Sequence, residues 1–264
     1  MAGEARSDAF MLGSATVMLG AQADLMNLTT DQSIGLVKNV TLKTTPGFTD
    51  LTQGVKNTLV YSVMTSNTTT VDGEVYEYTS KNLSYALGLD GSDVEATAVE
   101  TTVGTEMTLT GDATGTTMAV AAGAGIAEGD YVTIQVGSAD QVFVRKVTAV
   151  ADNNVTISSG LPVVIPVGAT VRVMNVLAVG SLDDQPYLSC KIVGTLANGD
   201  EVVLLLPKVR VTSGLSMGFK TDNFDNIPLQ MQIYDLVATD PNYAMFQDVG
   251  PSGRPAKAML LANK

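Results

Sequence analysis

Catalysis near neutral pH most often relies on histidine, and this sequence contains none. That removes Ser-His-Asp and Cys-His nucleophiles, the usual zinc sites and the side chain best suited to proton transfer near pH 7. Gly123-Ala124-Gly125-Ile126-Ala127-Glu128 begins like a dinucleotide fingerprint but lacks the third glycine and a following helix. Gly111-Asp112-Ala113-Thr114-Gly115-Thr116-Thr117 lacks the lysine of a phosphate-binding loop, and both stretches read as turns. Two acidic loops, Asp90-Gly91-Ser92-Asp93 and Asp222-Asn223-Phe224-Asp225-Asn226, miss the spacing of a calcium loop. Glu74 and Glu77 stand three apart in a strand-like segment, which points them to opposite faces and prevents a carboxylate dyad. Cys190 is the single cysteine, so no intrachain disulfide can form, and its apolar neighbours make it a buried strand thiol. No catalytic, cofactor or metal constellation emerges, and the expectation is a protein that is not an enzyme.

Composition points to packing rather than chemistry. The chain has 264 residues, 45 % hydrophobic and 16 % charged, a balance that supports a substantial core and disfavours disorder. Val and Thr dominate, and β-branched side chains favour strands. No run approaches the roughly 18 apolar residues of a membrane-spanning segment. Phe10 to Leu19 is moderately apolar, but Glu4, Arg6 and Asp8 stand where a signal peptide carries positive charge, so an extended N-terminal arm is expected.

Residues 33–45 alternate, with Ile34, Leu36, Val40 and Leu42 on one face, and read as a half-buried strand. Thr44 to Asn57, with Pro46, Gly47 and Gly54, reads as a long loop of the kind that is usually functional or mobile. Leu59–Thr65 and Thr70–Tyr78 read as two strands joined by the polar turn Ser66-Asn67-Thr68-Thr69. One short helix is expected over 79–88, capped by Thr79 or Ser80, ended by Gly88, and packed through Leu83, Ala86 and Leu87.

Composition then shifts toward Gly, Ala, Val and Thr between residues 92 and 179. Strands near 106–110, 116–121, 130–136, 141–150, 154–158 and 169–176, separated by turn residues, suggest an inserted small β-barrel of the SH3-like type. Beyond it, 185–196 and 201–212 form a hairpin around Ala197-Asn198-Gly199-Asp200, and Val202–Leu206 is apolar on both faces. A final strand covers 227–238, and the tail after Asp240, with Pro241, Pro251 and Pro255, reads as an irregular arm. The expected fold is all-β with one short helix, built as a discontinuous domain (1–91 and 180–264) carrying an insert (92–179).

Two stretches resemble parts of bacteriophage tail tube proteins: Val75-Tyr76-Glu77-Tyr78-Thr79-Ser80-Lys81-Asn82-Leu83-Ser84-Tyr85-Ala86-Leu87-Gly88-Leu89 and Ile227-Pro228-Leu229-Gln230-Met231-Gln232-Ile233-Tyr234. The resemblance extends over about 1–91 and 180–264 and leaves the insert outside it. It implies a tail-tube-like β-sandwich or barrel, six copies to a ring, and rings stacked into a hollow tube that conducts DNA as a non-specific passenger. The long loop, through Thr44, Pro46, Gly47, Phe48, Asp50, Leu51 and Gly54, and the terminal arms would then bridge successive rings. Sheath, baseplate and terminator proteins would be further partners, and the product would reside in the virion tail after assembly in the host bacterial cytoplasm.

The net charge of −12 fits a conduit better than a nucleic-acid binder, because gripping phosphates requires cations. The excess is shared, with 9 acidic and 3 basic residues in 93–176 and 18 acidic and 12 basic elsewhere. Lys38, Lys43, Lys208 and Arg210 are expected to pair with acidic groups at subunit contacts. A second reading is a secreted or surface-displayed two-module adhesin that binds carbohydrate, although Trp, a favoured platform for sugars, is absent.

Overall fold

A computed structural model describes residues 15–92, 94, 98–105, 116–121, 125–138, 141–180, 184–196, 198–219, 222 and 224–262. The fold is all-β with a few short helices. Its strands, in chain order, are β1 (Ala15–Ala21), β2 (Val37–Gln53), β3 (Thr58–Val75), β4 (Glu100–Thr102), β5 (Thr116–Ala119), β6 (Tyr131–Gln135), β7 (Val142–Ala151), β8 (Asn154–Ile157), β9 (Thr170–Met174), β10 (Leu188–Thr195), β11 (Glu201–Val211), β12 (Ile227–Ile233) and β13 (Met259–Ala262). Two α-helices accompany them, α1 (Ser80–Ala86) and α2 (Tyr243–Val249). The chain divides into two compact units, 1–93 with 179–264, and 94–178.

The first unit is a curled antiparallel sheet in the order β1-β10-β11-β12-β3-β2. The curl arises within β11. Val202–Leu205 pairs with β13 on the edge that β12 occupies farther along, at Val209–Val211. Pro207 lies at this changeover, and the register against β10 slips there between Leu206 and Val209. A residue without an amide proton fits a bulge, where no ladder bond is required of it. Apolar residues on both faces of β11 then serve two layers. Leu204 and Leu206 join Val17, Leu19, Cys190, Met231 and Ile233 in the main core. Leu205 turns the other way, to Met18, Leu25, Leu28, Leu236, Phe246 and Met259.

Local chemistry explains α1. The Thr79 side chain accepts from the Asn82 amide at 3.1 Å, and Gly88 takes a positive φ of 81° where the helix stops. The buried face only partly matches the expected one: Ala86 is buried and Leu83 packs against the core, but Leu87 does not join it. Tyr85 packs into the core and donates its hydroxyl to the Leu19 carbonyl at 3.1 Å, whereas Leu83 and Leu87 stay half-exposed. Burial raises the Tyr85 pKa to about 12.

Four expectations are corrected. The single face of Ile34, Leu36, Val40 and Leu42 does not form: Ile34 and Val37 are buried while Leu36 and Leu42 are exposed. Gly35, at a positive φ of 79°, separates Ile34 from Leu36, and Asn39 adopts a left-handed φ of 56° at a register shift between Lys38 and Thr41, where one extra residue reverses the side chains beyond it. The Ser66–Thr69 turn is absent, because β3 runs unbroken through it and β-branched threonines extend readily. The 44–57 loop is largely strand. The tail after Asp240 is not irregular: Phe246 of α2 is fully buried, and β13 pairs with β11. The 106–110 strand lies outside the described residues.

The tail is also held by charge. Lys208 Nζ lies 2.7 Å from Asp240 Oδ2, with side chains only 9 % and 13 % exposed, and the Val237 amide donates to the same oxygen at 2.8 Å. Burial pushes the Asp240 carboxyl up, but the bonds from Lys208 and Val237 outweigh it and hold its pKa below the ordinary value. Arg210 pairs with Asp184 at 3.2 Å, and Lys38 lies over the Tyr76 ring at 4.7 Å. Lys208 and Arg210 therefore find acidic partners within the chain rather than at a subunit contact. Lys208→Met should destabilise the fold by about 2–3 kcal/mol, since it strands a mostly buried carboxylate. Asp240 titrates lower in the folded state, so this contribution is complete above the unfolded carboxyl value of about 4 and fades as pH falls through the folded value. Urea melts should separate the two proteins at pH 7 and converge in acid; coincident curves at neutral pH would contradict the pairing.

The second unit is a six-stranded sheet ordered β4-β9-β6-β7-β8-β5. An antiparallel bridge between Val103 and Val120 joins its two ends, with Gly104 N donating to Ala119 O and Ala121 N to Thr102 O, both within 3.0 Å. The sheet therefore closes into a small barrel, which leaves no open edge between β4 and β5. Met118, Val132, Ile134, Ile157, Leu161, Ile165 and Val171 fill it. Its core is made entirely of residues 103–171.

Cys190 is 0 % exposed, and burial pushes its thiol pKa far above the ordinary value. A thiol reagent should leave it unmodified in the native protein and label it once on denaturation; rapid native labelling would contradict its position in the core.

Candidate functional site

β2 and β3 pair far beyond the body of the first unit. The register runs from Val37–Val75 to Gln53–Thr58, closed by the turn Gly54–Asn57. Gly54 and Asn57 take positive φ values of 80° and 49°, and the Asn57 amide donates to Gly54 O at 3.1 Å. Glycine suits the first of these positions because it has no Cβ to oppose that backbone. From Pro46 to the tip the ribbon extends about 30 Å, at roughly 3.4 Å per residue.

The structure places the seven candidate loop residues along this arm. Thr44 pairs with Thr69, Pro46 with Asn67, Gly47 with Ser66, Phe48 with Met64, Asp50 with Ser62 and Leu51 with Tyr61, while Gly54 opens the turn. They form one ribbon, not a flexible loop. The Ser62 hydroxyl donates to Asp50 Oδ1 at 2.6 Å, a cross-strand link within it. Two further bulges mark the β3 side: the register skips Thr65 between Gly47 and Phe48, and Val60 between Leu51 and Thr52. Such bulges increase the twist of a ribbon.

No residue from 41 to 68 is buried, and only Gly47 and Asn67 reach half-burial. Yet the arm carries large apolar side chains on both faces. Directly paired residues share a face and consecutive residues alternate. One face therefore presents Phe48 (59 % exposed), Met64 (56 %) and Leu59 (57 %). The other presents Leu51 (62 %), Tyr61 (63 %) and Val63 (45 %). The sequence reading identified Phe48 and Leu51 and missed Leu59, Tyr61, Val63 and Met64. The missing signal was the pairing of 58–66 back onto 47–53, which hydropathy alone does not reveal.

Charge is nearly absent from the arm. Between residues 44 and 65 only Asp50 and Lys56 are charged, in a chain of net charge −12. The described polar groups elsewhere serve the fold. Glu77 accepts from the Leu36 amide at 2.9 Å, and Glu74 from Tyr76 Oη at 2.9 Å and Asn39 Nδ2 at 3.1 Å. Asp225 accepts from Tyr78 Oη at 2.9 Å and from the Gly218 amide, which ties it to the 76–79 connection that precedes α1. Among the described residues no group of three or more acidic or thiol side chains is placed to hold a metal ion. No described helix is long and apolar enough to cross a membrane. The arrangement is suited to burying surface against another molecule, through the arm. Neither a family model nor a curated protein matches the chain.

Proposed function

We propose that the chain is a structural subunit that assembles with copies of itself through the β2–β3 arm, as a tail tube subunit of a bacteriophage. The carrying observation is the arm: a two-stranded ribbon with no buried side chain over 48–65 and eight large apolar residues in water, three on each face with Val55 and Val60 besides. An isolated two-stranded ribbon is marginal in water, and apolar patches of this extent mark interaction sites. Each face offers roughly 300 Å² of apolar surface, taking about 200 Å² for a full aromatic or comparably large side chain. Covering both would contribute on the order of 15 kcal/mol before the costs of association and ordering.

A second copy is the partner that the charge favours. Copies of an acidic chain repel one another, and the repulsion is weakest where charge is absent. An arm on one copy that docks on a different surface of the next makes a head-to-tail contact, which closes into rings or extends into filaments. The sequence resemblance supplies the specific form: six copies to a ring, stacked rings, and a lumen through which DNA passes without being held. The acidic balance supports that form, since a conduit that bound phosphates would slow its passenger. The carbohydrate-binding adhesin remains the second reading, favoured by the two-unit organisation.

Sedimentation velocity across a concentration series separates the two. Assembly predicts growth from monomer to large species without any added cofactor. A persistent monomer at high concentration that is retained on a glycan column would replace this reading with the adhesin.

A further inference from the structure

We infer that the β2–β3 arm is sandwiched in the assembly, covered on one face by one neighbouring copy of the chain and on the opposite face by another. This rests on the self-assembly reading above and goes beyond it, because a docked arm need only bury one side.

A ribbon laid on a single surface shows one apolar and one polar face, whereas a strand covered on both sides is apolar on both. The arm has the second pattern. Phe48, Met64 and Leu59 share one face, Leu51, Tyr61 and Val63 the other, and all six are between 45 % and 63 % exposed. The register between Phe48–Met64 and Leu51–Tyr61 is continuous, so Phe48 and Met64 lie opposite Leu51, Tyr61 and Val63 with no bulge between them, and the bulge at Val60 brings Leu59 round to the face of Phe48 and Met64.

Area favours cover on both sides, because leaving either face in water would keep roughly 300 Å² of apolar surface exposed in every subunit. The β2 edge of the arm is a poor alternative. Pro46 sits in β2, the terminal strand of the sheet, and offers no amide proton to an added strand. The arm is also nearly free of charge, so both faces can approach acidic copies.

Adjacent cysteines on opposite faces test this in the full-length chain. Val63→Cys and Met64→Cys are made separately; both sites are exposed, and Cys190 is fully buried and serves as a silent background. Each variant is treated with a maleimide while monomeric and again after assembly at high concentration. The sandwich predicts that both thiols react freely in the monomer and that both slow by at least about tenfold on assembly, as cover by protein excludes the reagent. Protection of only one thiol in an assembled sample would overturn the sandwich and leave self-assembly through the arm intact. Assembly with both thiols still reactive would remove the arm from the contact altogether. A chain that never assembles and keeps both thiols reactive would overturn the sandwich and the assembly reading together.

Discussion

Replacing Phe48–Thr65 with a two-residue Asn-Gly turn is expected to yield a folded chain that no longer assembles. Gly47 and Ser66 are cross-strand partners, so a turn of the type favoured in hairpins can join them in register. None of the removed side chains is buried, and the main core keeps Val71 and Val75 of β3 and Val37 of β2. The thermal midpoint should therefore change by only a few degrees, the shift expected for about 1 kcal/mol or less. Assembly should respond far more strongly. Losing even about 3 kcal/mol of contact energy per subunit raises the concentration needed by roughly 100-fold. Circular dichroism and sedimentation on the same sample read the two effects. An unfolded product would show that the arm is part of the core, and unimpaired assembly would show that the contact lies elsewhere.

Excising Val94–Ala178 and joining the ends with a short Gly-Ser linker is expected to have the opposite profile. About a third of the chain is lost, yet the remaining unit should fold and still assemble. Each hydrophobic cluster of the first unit is made only of residues before 94 or after 179, and the barrel core only of residues between them. No buried side chain of the first unit is removed. The remaining chain keeps the arm, so its assembly concentration should stay within about tenfold of the parent, a difference of 1.4 kcal/mol or less. Failure to fold would mean that the first unit needs the insert. Folding without assembly would give the barrel a direct part in the contact.

The barrel was the most legible part of the sequence. Its strands are short, their alternating residues fill one interior, and Gly or Asn marks the turns, as at Gly129, Asp152-Asn153 and Gly168. Strands expected at 130–136, 154–158 and 169–176 appear at Tyr131–Gln135, Asn154–Ile157 and Thr170–Met174. The 197–200 hairpin was legible for the same reason: Gly199 takes a φ of 89°, which Asn-Gly anticipates. The arm was not. Pro46, Gly47 and Gly54 are ordinary loop residues, and apolar side chains on both faces erase the alternation that announces a strand. Only long-range pairing keeps Pro46 extended, on an edge where its missing amide proton costs no ladder bond. The reversal at Asn39 was equally hidden, because nothing local marks which asparagine will adopt a positive φ. Helix α2 escaped notice because Phe246 is its one buried residue and prolines stand on either side, at 241 and 251.

The central claim is that this chain builds an assembly from copies of itself, and an electron micrograph of the concentrated, purified protein tests it most directly. Rings of uniform diameter, stacked into hollow tubes and absent from the Phe48–Thr65 replacement prepared alongside, are the predicted result. Single particles of monomer size at every concentration, indistinguishable from that variant, would contradict it.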